Sequence, residues 1–371
     1  MIKVSRGCLG KEELARVKEA FDYGYFGLAG MVLEFEEALK KFLGAKHVVA
    51  TNNGTSALHL ALDALGIGEG DEVIVPSLTF IGSFQAISAT GAAPVPCEVY
   101  PDTLSLNIAD VQKRITPKTK AVMPVHYAGN PCDMDTLLKI AGEHSIRIVE
   151  DAAHALGSYY KGRKIGSFGD IICFSFDSIK NITCGEGGAI ICQDAELAEL
   201  LRQKRLLGID RKSHAAAWKE RVWTYEVKTQ GFRYHMSNIN AAIGLEQLKK
   251  IDLFISRRRE IYRKYDGAFG KIAGISCLRL NYDEVAPHIY VLHVGNGKRD
   301  KLMTYLKELD IETGINYIPN HLQPFYQKEN TGLPETEKAY QEILTLPLHC
   351  GLSDDDVSRV IQGVIEGLRI P

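Results

Sequence analysis

Short apolar runs alternate with helix-like segments through the first three quarters of the chain. Most of these runs are continuously apolar, which is typical of strands that are covered on both faces of a sheet. We predict strands at residues 47–50, 72–75, 93–96, 121–125, 146–149, 171–176 and 189–192. Helical patterns lie between them, for example at residues 55–65, 82–90 and 134–143. The alternation predicts an α/β fold with a mostly parallel seven-stranded sheet covered by helices.

The pattern changes near residue 250. Residues 238–254 predict one long helix, and a charged stretch follows at residues 256–264. Beyond it we predict a strand at 288–294, a helix at 299–309 and a last helix that Ser353 caps before an acidic first turn. Since 371 residues exceed what one core usually holds, we predict two domains. The large one spans residues 1–256, N-terminal segment included, and a smaller α/β domain spans residues 257–371.

Composition limits the class of protein. Apolar residues make up 45% and charged residues 24% of the chain, and the net charge of -2 offers no basic excess for nucleic acid or an anionic membrane. There is neither the apolar core of a signal peptide nor a long uncharged run, so we expect a cytoplasmic protein. The eight cysteines form no C-x-x-C pair, which favours reduced thiols and no structural metal site.

Polar and reactive residues follow the predicted strands. The segment T-N-N-G-T-S comes after the first strand, P-S-L-T-F after the second, and E-D-A-A-H after residues 146–149. His126 follows residues 121–125, and S-I-K-N follows residues 171–176. Ligands of open α/β sheets bind at the carboxyl ends of the strands. The sequence therefore predicts a single site at one edge of the sheet.

Two of these segments suggest particular binding partners. Gly54, Thr55 and Ser56 stand where a strand turns into a helix, where N–H groups and hydroxyls favour a phosphate; the alternative is an ordinary helix cap. Asp151 follows an apolar strand and needs a cationic or proton-donating partner there. A protonated pyridine nitrogen would be such a partner, and a helix cap or a buried ion pair is the alternative.

Lys180 lies in the apolar, glycine-terminated stretch F-S-F-D-S-I-K-N-I-T-C-G-E-G-G. Partial burial would lower the pKa of its amine and free it to attack a carbonyl group, whereas a solvated loop lysine is the ordinary alternative. Phe80 could stack on an aromatic ring or simply pack in the core.

The motifs together carry a resemblance to a known family. They are N-N-G-T-S-A-L-H-L-A-L, G-D-E-V-I-V-P-S-L-T-F, P-V-H-Y-A-G-N-P-C-D-M-D, E-D-A-A-H-A-L-G, the Lys180 stretch, G-F-R-Y-H-M-S-N-I-N-A-A-I-G-L-E-Q-L and L-P-L-H-C-G-L-S-D-D-D-V. In this order, over nearly the whole chain, they resemble the DegT/DnrJ/EryC1/StrS family of sugar aminotransferases. These enzymes depend on pyridoxal 5'-phosphate (PLP) and have the fold-type I, aspartate aminotransferase-like architecture.

The resemblance implies a role for each site residue. Lys180 would attach PLP covalently and later move protons, Asp151 would pair with the pyridine nitrogen, and His154 would contact the phenolic oxygen of the cofactor. Phe80 would stack on the ring, and the phosphate would be held by Gly54, Thr55, Ser56 and Ser175. The family's dehydratases carry histidine where this chain has Lys180, so the chain resembles the transaminases.

The resemblance also implies a homodimer with the active site at the interface. In many members an asparagine of a G-Y-N-Y-R segment reaches the phosphate bound by the neighbouring subunit. Here the segment reads G-F-R-Y-H, so Arg233 or His235 would take that part. For the substrate we predict Tyr317, His321 and Tyr326, with Tyr25 as a weaker candidate; a structural role is the alternative for each.

The resemblance implies amino transfer from L-glutamate to a nucleotide-linked keto sugar, with a 4-keto group more expected than a 3-keto group. It places this reaction in bacterial surface-polysaccharide or related amino-sugar biosynthesis. A non-catalytic regulator of the same fold, or a PLP enzyme with another sugar reaction, is the alternative. A nicotinamide-dependent oxidoreductase would need G-x-G-x-x-G after the first strand, where this chain has N-N-G-T-S-A.

Overall fold

The computed structural model describes residues 1–210, 225–327 and 332–370. Each of the seven predicted strands is present in one sheet, and two further short strands form a separate hairpin. The strands up to this point are β1 (His47–Thr51), β2 (Glu72–Pro76), β3 (Ala93–Cys97), β4 (Thr119–Val122), β5 (Arg147–Asp151), β6 (Tyr159–Tyr160), β7 (Arg163–Lys164), β8 (Ile171–Ser175) and β9 (Gly188–Cys192).

The sheet has the strand order β1-β9-β8-β5-β4-β2-β3. β9 runs antiparallel to its neighbours β1 and β8, and all other neighbours are parallel. The strands other than β9 therefore end at the same edge of the sheet. This edge brings together the segments after β1, β2, β5 and β8, as the sequence predicted.

Helices connect and cover the strands. They are α1 (Lys11–Tyr23), α2 (Gly30–Leu43), α3 (Gly54–Ala64), α4 (Ile81–Ala89), α5 (Ile108–Arg114), α6 (Met134–His144), α7 (Ala195–Lys204), α8 (Asn238–Lys249), α9 (Ile251–Phe269), α10 (Arg299–Glu308), α11 (Pro334–Glu342) and α12 (Asp354–Gly367). Within the described residues, none of the helices has the length and apolar character needed to cross a membrane.

The sheet separates two apolar cores, which explains the continuously apolar strands. Along β1, Val48 and Ala50 pack with α2, α6 and α8 on one face. Val49 points to the other face and packs with α3, α4 and α7. Successive side chains of a strand point to opposite faces, so a strand between two helical layers needs apolar residues at every position.

A smaller antiparallel sheet follows, with strands β10 (Ile275–Cys277), β11 (Tyr290–Val294) and β12 (Ile343–Leu346). Helices α9, α10 and α12 pack against it, and Ile2 joins this core from the N-terminus. Ser353 caps α12 as predicted, since its side chain accepts a hydrogen bond from the backbone N–H of Asp356.

The predicted single helix at residues 238–254 is wrong. The structure has two helices, α8 and α9, that meet at Lys250, where φ is -100° and ψ is 0°. The Lys250 amine bonds the Glu13 carboxylate at 2.7 Å, so the residue at the break is tied to α1. The apolar pattern could not show the break because both helices bury the same kind of residue. The proposed domain division at residue 256 lies within α9 and stays a prediction.

The expectation of eight reduced thiols is also corrected. Cys8 and Cys350 form a disulfide that joins the segment before α1 to the segment after β12. The two cysteines are 342 positions apart, so their spacing in the sequence carries no sign of the bond. The other six thiols are free, and burial raises the pKa of Cys97, Cys173 and Cys184, which keeps these three protonated and unreactive.

Candidate active site

A cavity of about 590 Å³ opens at the carboxyl edge of the large sheet. This volume is within the usual range for small-molecule sites. Nine residues predicted from the sequence line it, namely Gly54, Thr55, Ser56, Phe80, Asp151, His154, Ser175, Lys180 and Tyr317. They come from segments far apart in the chain, and the strand order brings them to one place.

One end of the cavity is a cup at the start of α3. Asn53 caps this helix by accepting the Ser56 N–H at 2.7 Å, and Gly54 and Thr55 supply the other N–H groups of the first turn. A Cβ atom at Gly54 would lie 2.8 Å from the Cβ of Ser175 at the end of β8. Only glycine allows this close approach, which leaves a concave surface of N–H and hydroxyl groups that suits a phosphate.

Asp151 ends β5 and is only 6% exposed. The Ser83 hydroxyl donates to Oδ2 at 2.7 Å, and the Ala153 N–H donates to Oδ1 at 3.1 Å. Both donors stabilise an ionised carboxylate and fix its direction. The sequence analysis missed Ser83; its position one helical turn after Phe80, at the start of α4, was the available signal.

Lys180 lies in the loop between β8 and β9 and is partly buried. Burial lowers the pKa of its amine, although the charges of Asp151 and Asp177 act in the opposite direction. The next residue, Asn181, holds the loop in place because its amide donates to the carbonyls of Leu156 and Ala286, each at 3.3 Å. The loop therefore presents an amine that loses its proton more easily than a solvated lysine does.

His154 and Tyr317 form a second polar group in the cavity. The His154 Nε2 atom lies 3.0 Å from the Tyr317 hydroxyl, and the Ala128 N–H donates to His154 Nδ1. Burial, followed by the charge of Lys180, lowers the pKa of His154 well below its usual value. The imidazole is therefore neutral at physiological pH.

Phe80 is 55% exposed although it stands beside the most buried part of the sheet, and it lines the cavity. An exposed aromatic face next to a carboxylate, a reactive amine and a phosphate cup fits a planar ring with a phosphate, a basic ring nitrogen and a carbonyl group. PLP has all of these groups, and the residues present fit it. The site and the fold together define a fold-type I PLP-dependent enzyme.

The comparisons with known proteins agree with this class. The DegT/DnrJ/EryC1/StrS aminotransferase family matches residues 7–365, and the chain belongs to this family. It is 41% identical over 366 residues to the spore coat polysaccharide biosynthesis protein SpsC of Bacillus subtilis. The aligned residues cover 96% of this chain and 94% of SpsC.

Two solved structures extend the comparison. The aminotransferase TlmJ from Streptoalloteichus hindustanus superposes with a TM-score of 0.92 at 36% identity, covering 99% of each chain. The PLP form of a sugar aminotransferase, Spr1654 of Streptococcus pneumoniae, described as putative, gives a TM-score of 0.92 at 29% identity over 99% of this chain and 98% of that one. The protein is a PLP-dependent sugar aminotransferase.

Five predicted residues do not line the cavity, namely Tyr25, Arg233, His235, His321 and Tyr326. His321 is buried between the Ser77 hydroxyl at 2.7 Å and the Glu337 carboxylate at 3.2 Å. The Tyr326 hydroxyl lies 3.0 Å from the Ser88 hydroxyl on α4. Through these contacts His321 and Tyr326 hold neighbouring segments of the chain together, which is the structural role given above as the alternative.

Arg233 and His235 flank Tyr234, which does line the cavity. The segment is extended, since Arg233 bridges Leu206 and His235 bridges Thr51. Neighbouring side chains of an extended segment point in opposite directions. Arg233 and His235 are therefore on the side of the segment opposite to Tyr234, where Arg233 is exposed and His235 is partly buried.

The sequence analysis missed several cavity residues, namely His59, Thr79, Gln85, Asp177, Glu186, Tyr234 and Asn316. Asp177 and Glu186 add two carboxylates to the lining of the cavity, and burial followed by the Asp177 charge raises the pKa of Glu186. Glu186 belongs to the G-E-G-G run, whose composition indicates only a turn. Across residues 1–210, 225–327 and 332–370, no group of three or more His, Cys, Asp or Glu could hold a metal ion.

Replacing Gly54 with alanine is expected to weaken PLP binding about tenfold, because the new methyl group would press on Ser175 and distort the cup. The dissociation constant of PLP, measured by titration of the cofactor-free protein, is the readout. Gly30→Ala is the matched control, since Gly30 also begins a helix and its added Cβ would meet nothing within 4 Å. Equal PLP affinity in the Gly54 variant and wild type would contradict the placement of the phosphate.

Proposed function

We propose that the enzyme moves an amino group from L-glutamate to a nucleotide-linked keto sugar, with a 4-keto group preferred over a 3-keto group. The observation that carries the proposal is the cavity that joins Lys180, Asp151 and Phe80 to the cup at Gly54. The similarity to SpsC, a protein of polysaccharide biosynthesis, supports a role in making amino sugars for bacterial surface polysaccharides. We propose that the enzyme acts in the cytoplasm.

The residues would divide the reaction between them. When bound, PLP supplies a carbonyl group that bonds to amines and a ring that takes up electrons. Lys180 would hold the cofactor, give way to the amine of glutamate, and then carry a proton from the α-carbon of the donor. The lowered pKa of its amine suits this work, because a neutral amine can accept that proton. The steps would run in reverse with the keto sugar.

Asp151 would keep the pyridine nitrogen protonated, since its carboxylate is fixed by Ser83 and Ala153 and is nearly excluded from water. His154 would lie at the phenolic oxygen of the cofactor, and Phe80 would stack on the ring. Ser56 and Ser175 would add donors for the phosphate next to Gly54 and Thr55. The presence of both Lys180 and Asp151 argues against a non-catalytic regulator.

We propose a homodimer in which Arg233 or His235 reaches the phosphate site of the partner subunit. Neither residue lines the cavity, and Arg233 is exposed, which supports this arrangement. Tyr317 is our candidate for the sugar-facing side, because its hydroxyl lies in the cavity beside His154. A monomer in analytical ultracentrifugation at working concentration would contradict the shared site.

The substrate proposal is tested with a panel of UDP-, dTDP- and GDP-linked sugars, each as the 4-keto and the 3-keto form, with glutamate as donor. We expect the purified protein to be yellow, glutamate to bleach it, and one 4-keto sugar to restore the colour and yield the amino sugar. Borohydride should attach the cofactor to a peptide containing Lys180, and Lys164→Ala should label as the wild type does. Amination of 3-keto sugars alone would overturn the proposed position.

A further inference from the structure

A second histidine, His288, packs on His154 beneath the cavity. It comes from the segment just before β11, and the two ring centroids are 4.2 Å apart. His288 is 3% exposed and is not among the residues that line the cavity. Its backbone N–H donates to the Ala128 carbonyl at 3.1 Å, and the Ala128 N–H donates to His154 Nδ1. One residue thus contacts both histidines.

The hydrogen bond from Ala128 determines the tautomer of His154. A backbone N–H can only donate, so Nδ1 must carry the lone pair and the ring proton must be on Nε2. Ala128 can reach Nδ1 because its backbone is left-handed, with φ 56° and ψ 11°. Such a conformation is uncommon for a residue other than glycine. The Nε2–H group then points to the side of the ring where the Tyr317 hydroxyl lies.

The hydrogen bonds of Asn181 determine the tautomer of His288. Both Asn181 amide contacts go to carbonyl oxygens, of Leu156 and Ala286, so the Nδ2 group is oriented toward them. The Asn181 Oδ1 atom therefore faces His288 Nδ1, 3.2 Å away, and needs a donor there. His288 carries its proton on Nδ1 and is neutral, since burial and the neighbouring His154 lower its pKa.

We propose that His288 is a positioning residue that couples His154 to the loop of Lys180. Its ring packs against the His154 imidazole with an angle of 41° between the ring planes, and its Nδ1–H group fixes Asn181, the residue after Lys180. The ring excludes water from His154, and the hydrogen bond sets where the Lys180 loop stands. The inference rests on the proposed role of His154 beside the cofactor.

Two substitutions separate the two contacts. His288→Asn keeps an N–H donor near the Nδ1 position and removes the ring face. His288→Phe keeps a ring over His154 and leaves Asn181 Oδ1 without its donor. His293 is a matched control position, because it is a buried histidine on β11, close to His288 in the chain, and does not line the cavity. His293→Asn and His293→Phe should report any general loss of stability.

The ring contact is read in the cofactor-free protein by NMR of ¹⁵N-labelled histidines, with the His154 signals assigned by their loss in His154→Gln. The titratable groups that face His154 are Lys180, Tyr127, Tyr317 and His288. In the wild type, His154 should stay in the Nε2–H form from about pH 6 to 8. In His288→Asn its pKa should rise above the lowered wild-type value, because part of the burial that lowers it is removed, so that it gains a proton at a higher pH than in the wild type.

The hydrogen bond to Asn181 is read in the PLP-loaded enzyme. His288→Phe should lower kcat of the glutamate half-reaction about tenfold, the effect of one lost hydrogen bond, and leave KM nearly unchanged. The isotope effect with α-deuterated glutamate should increase, because proton transfer by Lys180 becomes slower. The His293 controls should change neither quantity.

The proposal is overturned if His154 titrates as in the wild type in His288→Asn and the isotope effect is unchanged in His288→Phe. His288 would then be an ordinary core residue, whatever the loss of stability. If one variant fails to fold, the other still tests its own contact. A failure of the role proposed for His154 beside the cofactor would give a different result. His154→Gln would then leave the kcat and the colour of the loaded enzyme unchanged, while the NMR result would stand.

Discussion

Replacing Lys180 with alanine is expected to abolish turnover and to leave a folded protein that still binds PLP through the remaining contacts. The variant loses the covalent attachment and the proton carrier together, and acid–base catalysis by one side chain alone contributes up to about 10⁴-fold. We therefore expect kcat to fall by at least about 10⁴-fold. Steady-state assays with glutamate and the accepted keto sugar measure the loss, and thermal unfolding verifies the fold.

Two further variants make the result specific to this amine. Lys180→Arg keeps the positive charge and should be as inactive as the alanine variant, because a guanidinium neither attaches the cofactor nor releases a proton at neutral pH. Lys164→Ala should keep its activity, since Lys164 is partly buried on β7, bonds the Phe42 carbonyl and does not line the cavity. Multiple turnovers by Lys180→Ala would overturn the assignment.

Replacing Asp151 with asparagine is expected to lower kcat by about 10²- to 10⁴-fold. The substitution removes the charge that would stabilise a protonated pyridine nitrogen, and breaking a buried ion pair costs about 3–5 kcal/mol. In the wild type the Ser83 hydroxyl and the Ala153 N–H donate to the carboxylate, and the new amide would place its own N–H groups against one of these donors. The kcat of each half-reaction and the dissociation constant of PLP should be measured separately.

Ser83→Ala is the matched control for this position. It keeps the carboxylate of Asp151 and removes one of its two donors, so we expect a loss of only about tenfold, close to the effect of one hydrogen bond to a charged group. A ratio between the two variants of more than about tenfold would show that the charge matters more than the orientation. Full activity in Asp151→Asn would contradict the pairing with the pyridine nitrogen.

The large sheet was predictable because its strands are covered on both faces. A strand is present at each of the seven predicted apolar runs, and its ends differ from the prediction by a few residues at most. The helix pair α8 and α9 was not predictable in the same way, since the apolar pattern runs through the break and the residue there, Lys250, contacts Glu13 on a remote helix, α1. The disulfide between Cys8 and Cys350 equally depends on a meeting of two remote segments.

The site was predictable where a residue follows a strand. Gly54, Asp151 and Ser175 stand at strand ends, and parallel strands bring such positions to one edge. Ser83, His59 and Glu186 enter the same cavity from helices or a turn, where the sequence carries no comparable rule. His321 and Tyr326 lie near Tyr317 in the chain, yet they bond to Ser77 and Ser88 and do not line the cavity.

The sequence by itself determined the fold class, because the apolar pattern of the strands is a local property of the chain. It pointed to the family and to the cofactor through the resemblance of its motifs to those of known sugar aminotransferases. The tertiary structure alone decided which side chains meet. It placed Ser83 on Asp151 and His288 between His154 and the Lys180 loop. Such pairs are set by the packing of helices and of the smaller sheet on the large one, and no local pattern encodes that packing.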